Sequence, residues 1–383
     1  MLNEREQLSV AARKPPLITL FLCGDVMTGR GIDQILPHPG NPRLYEPYVR
    51  SAKEYVELAE QVSGPIDRPV GFAYVWGDAL SELERRAPHA RIVNLETAVT
   101  TSENAWPGKG IHYRMHPANV PCLTALSVDC CVLANNHVMD WGREGLFETM
   151  RTLAAAGIRT AGAGRDAAEA STPAAIELAG RSRVLIFAFG MPSSGVPGGW
   201  RATAQRAGVN LLTDLSSRSV DKVAQDIGAH KRDDDIAVVS LHWGPNWGFD
   251  VSALERRFAH ALLERAGADV VHGHSSHHVK GIEVHRDKLI LYGCGDFLTD
   301  YEGITGHEAY RGGLSLMYFP TLDSRTGHLR ELVLTPTRMH RLRVTRAEPE
   351  QTEWLRETLV REGRQFGTTV ERQVDGTLRL RWS

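Results

Sequence analysis

The chain lacks the marks of several large protein classes. No apolar run reaches the roughly 18 residues that a membrane-spanning helix needs. The first 16 residues are polar and carry no apolar stretch of the signal-peptide kind. Positive charge is not in excess, since 44 Lys and Arg stand against 46 Asp and Glu for a net charge of -2. No bulk basic field is therefore available to draw nucleic acid or an anionic membrane. Cysteine is sparse: Cys23, Cys122, Cys130, Cys131 and Cys294 are odd in number and form no Cys-x-x-Cys pair. This pattern argues against a disulfide framework and a zinc–thiolate site, and for buried thiols in a reducing compartment. There is no Walker loop and no Gly-x-Ser-x-Gly elbow, and Gly162-Ala-Gly164 lacks the third glycine of a dinucleotide fingerprint. The expectation is a cytoplasmic protein with no nucleic-acid partner and no membrane span, acting on a small-molecule or peptide substrate. Oligomeric state leaves no sequence signal.

What is present is an ordinary globular complement. The 383 residues are 42% hydrophobic and 23% charged, enough to bury a large core. Strands are expected at 17–23, 90–93, 130–133, 158–161, 184–189, 236–241 and 270–271, and helices at 78–86, 144–156, 214–229 and 254–266. From Ile282 the pattern changes: 282–284, 289–292, 314–319 and 332–334 read as antiparallel strands, and 351–366 as a closing helix. A β-α half followed by hairpins implies two packed sheets with helices outside. The span 37–70, rich in proline and aromatics, reads as an elaborated loop with one helix near 51–61, either a lid or a surface excursion. Residues 1–16 are expected to be disordered, 17–345 to form the main domain, and 346–383 to add a C-terminal helix and extension.

Chemistry concentrates in five short stretches at strand ends: Cys23-Gly-Asp25-Val-Met-Thr-Gly-Arg30, Asn94-Leu-Glu96, Asn135-Asn136-His137, His242-Trp-Gly, and Gly273-His274-Ser-Ser-His277-His278. In an α/β fold such ends meet at one edge of the sheet. Asp25 and Glu96 offer the hard oxygens that divalent cations favour. The amide of Asn135-Asn136 adds another oxygen and leaves His137 free for proton transfer, with Asp140 three residues on to orient its ring. His242 and the cluster His272, His274, His277 and His278 supply imidazoles, and the residues alone leave open which of the four bind. Asp296 follows a further strand and is positioned to orient a metal-bound histidine. Arg30 is a candidate clamp for a phosphate or carboxylate. Trp243 and Trp247 flank the His242 loop and, with Arg30 and His278, are the candidates for substrate contact.

Taken in order, these motifs resemble those of the CapA family, named for poly-γ-glutamate capsule synthesis and placed in the calcineurin-like metallophosphatase superfamily. The resemblance spans roughly residues 17 to 320. It implies an α/β fold of the four-layer α-β-β-α sandwich type, with a metal centre between loops at one edge of two sheets. It also implies Asp25, Glu96, Asn136, His242, His274 and His277 as metal ligands, Asp25 as a bridge between two ions, and His137 as general acid. Ser275-Ser276 stands where the family more usually carries His-Pro. One or two divalent ions are expected, Mn, Zn or Fe from the mixed donors, or Ca if carboxylates and waters dominate.

Three readings of function follow. One is a metal-dependent hydrolase of a phosphate ester or related bond. Another is a metal-dependent peptide Cα epimerase, as in lasso-peptide maturation, using His137 with Asp140 and one of the clustered histidines with Asp296. The last is a non-catalytic binding component of a polymer-synthesis complex.

Overall fold

In a computed structural model of the chain, residues 17–178 and 182–383 are described. The expected disorder of residues 1–16 lies outside them. The fold is mixed α/β and rests on two large sheets. The larger has ten strands. Its parallel half runs Leu17–Val26, Ala90–Leu95, Cys130–Val132, Arg159–Ala161, joined by the long crossovers that parallel neighbours require. On the other flank of Leu17–Val26 it continues antiparallel through Leu314–Asp323, Leu329–Met339, Leu378–Trp382 and Thr368–Arg372. The short strand Asp296–Leu298 lies parallel to the end of Leu17–Val26.

The smaller sheet is ordered Ile282–His285, Lys288–Leu291, Val270–His274, Ile236–His242, Arg183–Gly190, Ala174–Glu177, and its four middle strands are parallel. This corrects the expectation of a purely antiparallel region after Ile282. The Arg286-Asp287 turn has positive φ at both residues (49° and 61°), the requirement of the tight hairpin turn that matches strand twist. It folds Lys288–Leu291 back between the edge strand and Val270–His274, where it pairs antiparallel on one side and parallel on the other. The C-terminal hairpin of the larger sheet was also not foreseen.

Period-2 alternation sorts the smaller sheet's side chains. Val184, Ile186, Ile236, Val238 and Val270 face the larger sheet and share one core with Leu20, Ile92 and Val132. Their neighbours Leu185, Phe187, Val239, Leu241 and Val271 face outward and pack under Val223 and Ile227 of the helix Ser217–His230 and Phe258 and Leu262 of the helix Ala253–Glu264. The second of these helices starts in a capping box between Ser252 and Glu255, which satisfies backbone donors at its first turn. In the 37–70 span, Ser51 and Glu54 make a similar box for Ala52–Ser63. All five cysteines are free and buried. No described helix is long and apolar enough to cross a membrane.

Candidate metal centre

Strand register assembles the centre. In the larger sheet Asp25 pairs with Asn94 on one side and Asp296 on the other. In the smaller sheet His242 is level with His274, each the last residue of its strand. Counting by twos from Val238 and Val270 puts Ser240, His242, His272 and His274 on the inner face, toward the carboxylates. The close approach of Asp25 and Asp296 depends on Gly24, where a Cβ would lie 1.6 Å from the Gly295 carbonyl oxygen. After Val270–His274 the chain turns through Ser275 at φ 100°, a strained conformation of the kind found at functional sites. The Ser275 N–H then donates to Asp25 Oδ2 at 3.2 Å.

Two ligand triads share Asp25. Asp25, His242 and His274 offer donor atoms within 4.8 Å of one another, and so do Asp25, His277 and Asp296. The Nδ1 atoms of His242 and His274 are 2.8 Å apart, and His277 Nδ1 is 2.9 Å from Asp296 Oδ1. Asn94 fixes Asp25 by donating to its Oδ1 at 2.7 Å. Asn136 Oδ1 lies 3.0 Å from His242 Nε2, and Glu96 Oε1 lies 3.8 Å from the same nitrogen. Asn135 turns away and holds the backbone of His137 and Val138 through its carbonyl. His137 gives Nδ1 to Asp140 at 2.7 Å and points Nε2 toward Glu96 Oε1, 3.7 Å away. Tyr113 packs edge-on against its ring.

The electrostatics describe a pocket short of positive charge. Burial, reinforced by Asp296, raises the Asp25 carboxyl to about 7. Burial and then the charge of Asp25 push Glu96 well up, and burial raises Asp296. Burial drives His242 and His274 well below the usual imidazole range, with their mutual proximity adding to it for His274. Only His277 rises: burial opposes its charge, but Asp296 outweighs it. Acids pushed up and bases pushed down in one buried cluster are what a bound dication would reverse. Glu96 Oε2 and Asp296 Oδ2 are buried with no hydrogen-bond partner, a costly state that metal ligation would relieve. The donor set of carboxylates, one amide and imidazoles thus fits a borderline divalent metal.

The family model described as Bacterial capsule synthesis protein PGA_cap matches residues 19–301. The chain belongs to this family. It is similar to a probable polyglutamine synthesis accessory protein of Mycobacterium tuberculosis, 48% identical over 96% of this chain and 97% of that one. It is also similar to the capsule biosynthesis protein CapA of Bacillus anthracis, 24% identical over 76% of this chain and 62% of the other. The PGA biosynthesis protein CapA of Bacillus subtilis is 26% identical over 78% and 67%. These names give the epimerase alternative no support. The solved structure of GAP50, the anchor in the inner membrane complex of Plasmodium, aligns with a TM-score of 0.34 and 8% identity over 87% of this chain and 90% of that one, a likeness too slight to carry an argument.

In this PGA_cap chain several candidates for substrate contact are engaged by other parts of the protein. Arg30 is not a free clamp. It is buried, bonded to Asp300 through Nε (3.1 Å) and Nη2 (2.5 Å) and to Glu46 through Nη1 (2.9 Å), under the ring of Tyr55. Its charge is spent on fixing the 37–70 span, through Glu46, to the loop that carries Asp300. Trp243 follows His242 by one residue and so faces the opposite side of the sheet. It stacks on Tyr292 and donates to that residue's carbonyl at 3.1 Å. His278 has both ring nitrogens engaged, one with the Val279 carbonyl and the other with the Gly248 N–H. His272 pins the two sheets together through the Cys23 carbonyl at 2.7 Å. Trp247 is half-buried, its ring 5.3 Å from that of His277.

Two features escaped the sequence reading. Asp296 shares a triad with Asp25 rather than only standing behind a ligand. Lys109, in the loop after Glu96, places its ammonium 2.5 Å from Asp140 Oδ1 and 3.0 Å from His137 Nδ1. A lone lysine between two glycines, Gly108 and Gly110, was the only hint, and nothing in it specifies a partner 31 residues away.

Proposed function

We propose that this protein is a metal-dependent hydrolase of the calcineurin-like type that serves the synthesis of a glutamate-based polymer. The two facing sheets with helices on the outer surfaces are read as the four-layer sandwich of that superfamily. The observation that carries the reading is the sharing of Asp25 between two ligand triads beside the His137–Asp140 pair. The relatives named for capsule, polyglutamine and PGA synthesis support the biological setting.

Asp25, His242, His274, Asn136 and Glu96 would hold one ion, and Asp25, His277 and Asp296 a second. Divalent cations supply Lewis-acid polarisation and acidify water from a pKa of 15.7 to about 7. The protein's own part is positioning. Asn94 and the Ser275 N–H orient Asp25. Asp140 fixes the Nδ1–H tautomer of His137, leaving Nε2 toward the pocket. Burial holds the free imidazole low, at about 4. An anionic substrate would favour its protonation, and that proton is the one passed to the leaving group. Lys109 clamps the other oxygen of Asp140 and closes the loop over this pair.

The test is metal analysis of the purified protein, followed by a panel of aryl phosphates, phosphodiesters, esters and γ-glutamyl peptides with the metal replaced. Turnover is expected in at least one class, lost in Asp25→Ala. In His137→Asn it should fall about 10²- to 10⁴-fold, the usual worth of a general acid, with metal content unchanged. Full metal occupancy without turnover of any class, or full activity in His137→Asn, would refute the proposal.

A further inference from the structure

We infer that the chain carries a separate transition-metal site on the flank of the smaller sheet, built from His260, Glu264, Glu283 and His285. His260 and Glu264 are one turn apart on the helix Ala253–Glu264 and so share a face. Glu283 and His285 are two apart on Ile282–His285, the edge strand of the smaller sheet, and so share a side. The helix face and the strand side meet. His260 Nε2 lies 3.0 Å from Glu283 Oε1, and His285 Nε2 lies 2.7 Å from Glu264 Oε1. The two imidazoles stack at 3.7 Å with planes 9° apart.

The donor atoms of His260, Glu283 and His285 fall within 4.8 Å of one another. Zinc–ligand distances of about 2.0–2.2 Å imply donor separations near 3.3 Å around a tetrahedral ion. The two N···O pairs are already close to that spacing, and the stacked imidazoles must turn out of parallel to aim their nitrogens at one ion. Two imidazoles and two carboxylates make an N2O2 set that suits zinc, nickel or copper. Arg286 lies 3.1 Å from Glu264 Oε1 and is displaced by an arriving cation, as is Arg256, which donates to Glu283 Oε1 through Nε and Nη2. The Arg256 side chain is 40% exposed and its guanidinium also lies over the Phe366 ring, so it has a seat to fall back on. Tyr292 keeps its hydroxyl on Glu283 Oε2 and holds the carboxylate in place. Filled, the site ties the helix to an edge strand that, among the described residues, pairs with no strand on its outer side. It shares no residue with the centre around Asp25.

The experiment uses the untagged full chain, stripped with chelator and titrated with zinc, and with cobalt as a visible-spectrum probe. Asp25→Ala is expected to retain one zinc equivalent and tetrahedral cobalt bands, both lost when His260→Ala and His285→Ala are added. Zinc should raise the melting temperature of Asp25→Ala but not of that triple variant. Losing even an outer partner of a metal ligand weakens binding 10- to 100-fold, so His285→Ala alone is expected to weaken this equivalent at least about tenfold. If Asp25→Ala does not fold, comparing the wild type with His260→Ala/His285→Ala decides the matter. One equivalent fewer supports the site, and unchanged stoichiometry and affinity overturn it.

Discussion

Replacing Asp25 by Asn removes one charge from the candidate metal centre and leaves its shape nearly intact. In the folded chain this carboxyl is raised from 3.8 to about 7, mainly by burial and then by Asp296. A group raised on folding contributes its stability in full below its unfolded value and loses it as the pH climbs through the folded one. The window is therefore about pH 4 to 7. At about 1.4 kcal/mol per unit, holding Asp25 ionised in the metal-free protein costs on the order of 4 kcal/mol, of which about 3 kcal/mol develops between pH 5 and pH 8. The asparagine can still accept from Asn94, but its NH2 then faces the Ser275 N–H. That mismatch adds a cost of about 1–3 kcal/mol that does not vary with pH. Urea denaturation in chelator at pH 5 and pH 8 separates the two. Relative to wild type, the variant is expected to gain about 3 kcal/mol on going from pH 5 to pH 8. His277 and Glu96 also feel the Asp25 charge, so the difference reports that charge together with its coupling to them. Adding a divalent metal at 100 times its Kd should restore about 2.7 kcal/mol to wild type and much less to the variant. A stability difference that stays flat with pH, or equal stabilisation of both proteins by metal, would refute the charge-deficit argument.

Other perturbations test the surrounding structure. Arg30→Met leaves Glu46 and Asp300 buried without their cation and is expected to cost about 3–5 kcal/mol. A loss under about 1 kcal/mol in urea melts would show that the pairs are not coupled to the fold. Gly24→Ala drives a methyl into the Gly295 carbonyl and should lower the melting temperature sharply and abolish metal binding together. Normal binding in that variant would contradict the proposed contact of Asp25 with Asp296. Trp243→Phe should lower stability and leave KM unchanged for any substrate turned over, because the indole sits in the outer core. Trp247→Ala should raise KM with little effect on melting. The reverse pattern would assign substrate contact to the wrong tryptophan.

The parallel half of the fold was legible because buried parallel strands read as apolar runs, and each such run ends where a polar loop begins. That is how Asp25, Glu96, His242 and the His272–His278 cluster could be picked out as one group. The inward or outward sense of each side chain was also written in the chain. Parity from Val238 puts His242 inside and Trp243 outside, so the expected substrate role of Trp243 conflicted with the sequence's own alternation. The C-terminal hairpin was harder to see. Its strands Thr368–Arg372 and Leu378–Trp382 carry exposed charged residues between the buried ones, and their apolar content is too low to stand out.

The sequence by itself determined which segments become strands, which polar residues stand at their ends, and that those ends converge at one edge, because these depend on local periodicity and on the direction of parallel strands. It did not determine what each charge does once buried. Arg30 became a structural cation because Asp300, 270 positions away, is brought against it. Of the adjacent His277 and His278, the first reaches Asp296, whereas the second is held by the Val279 carbonyl and the Gly248 N–H. Desolvation and pairing are decided by neighbours that only the folded chain brings together.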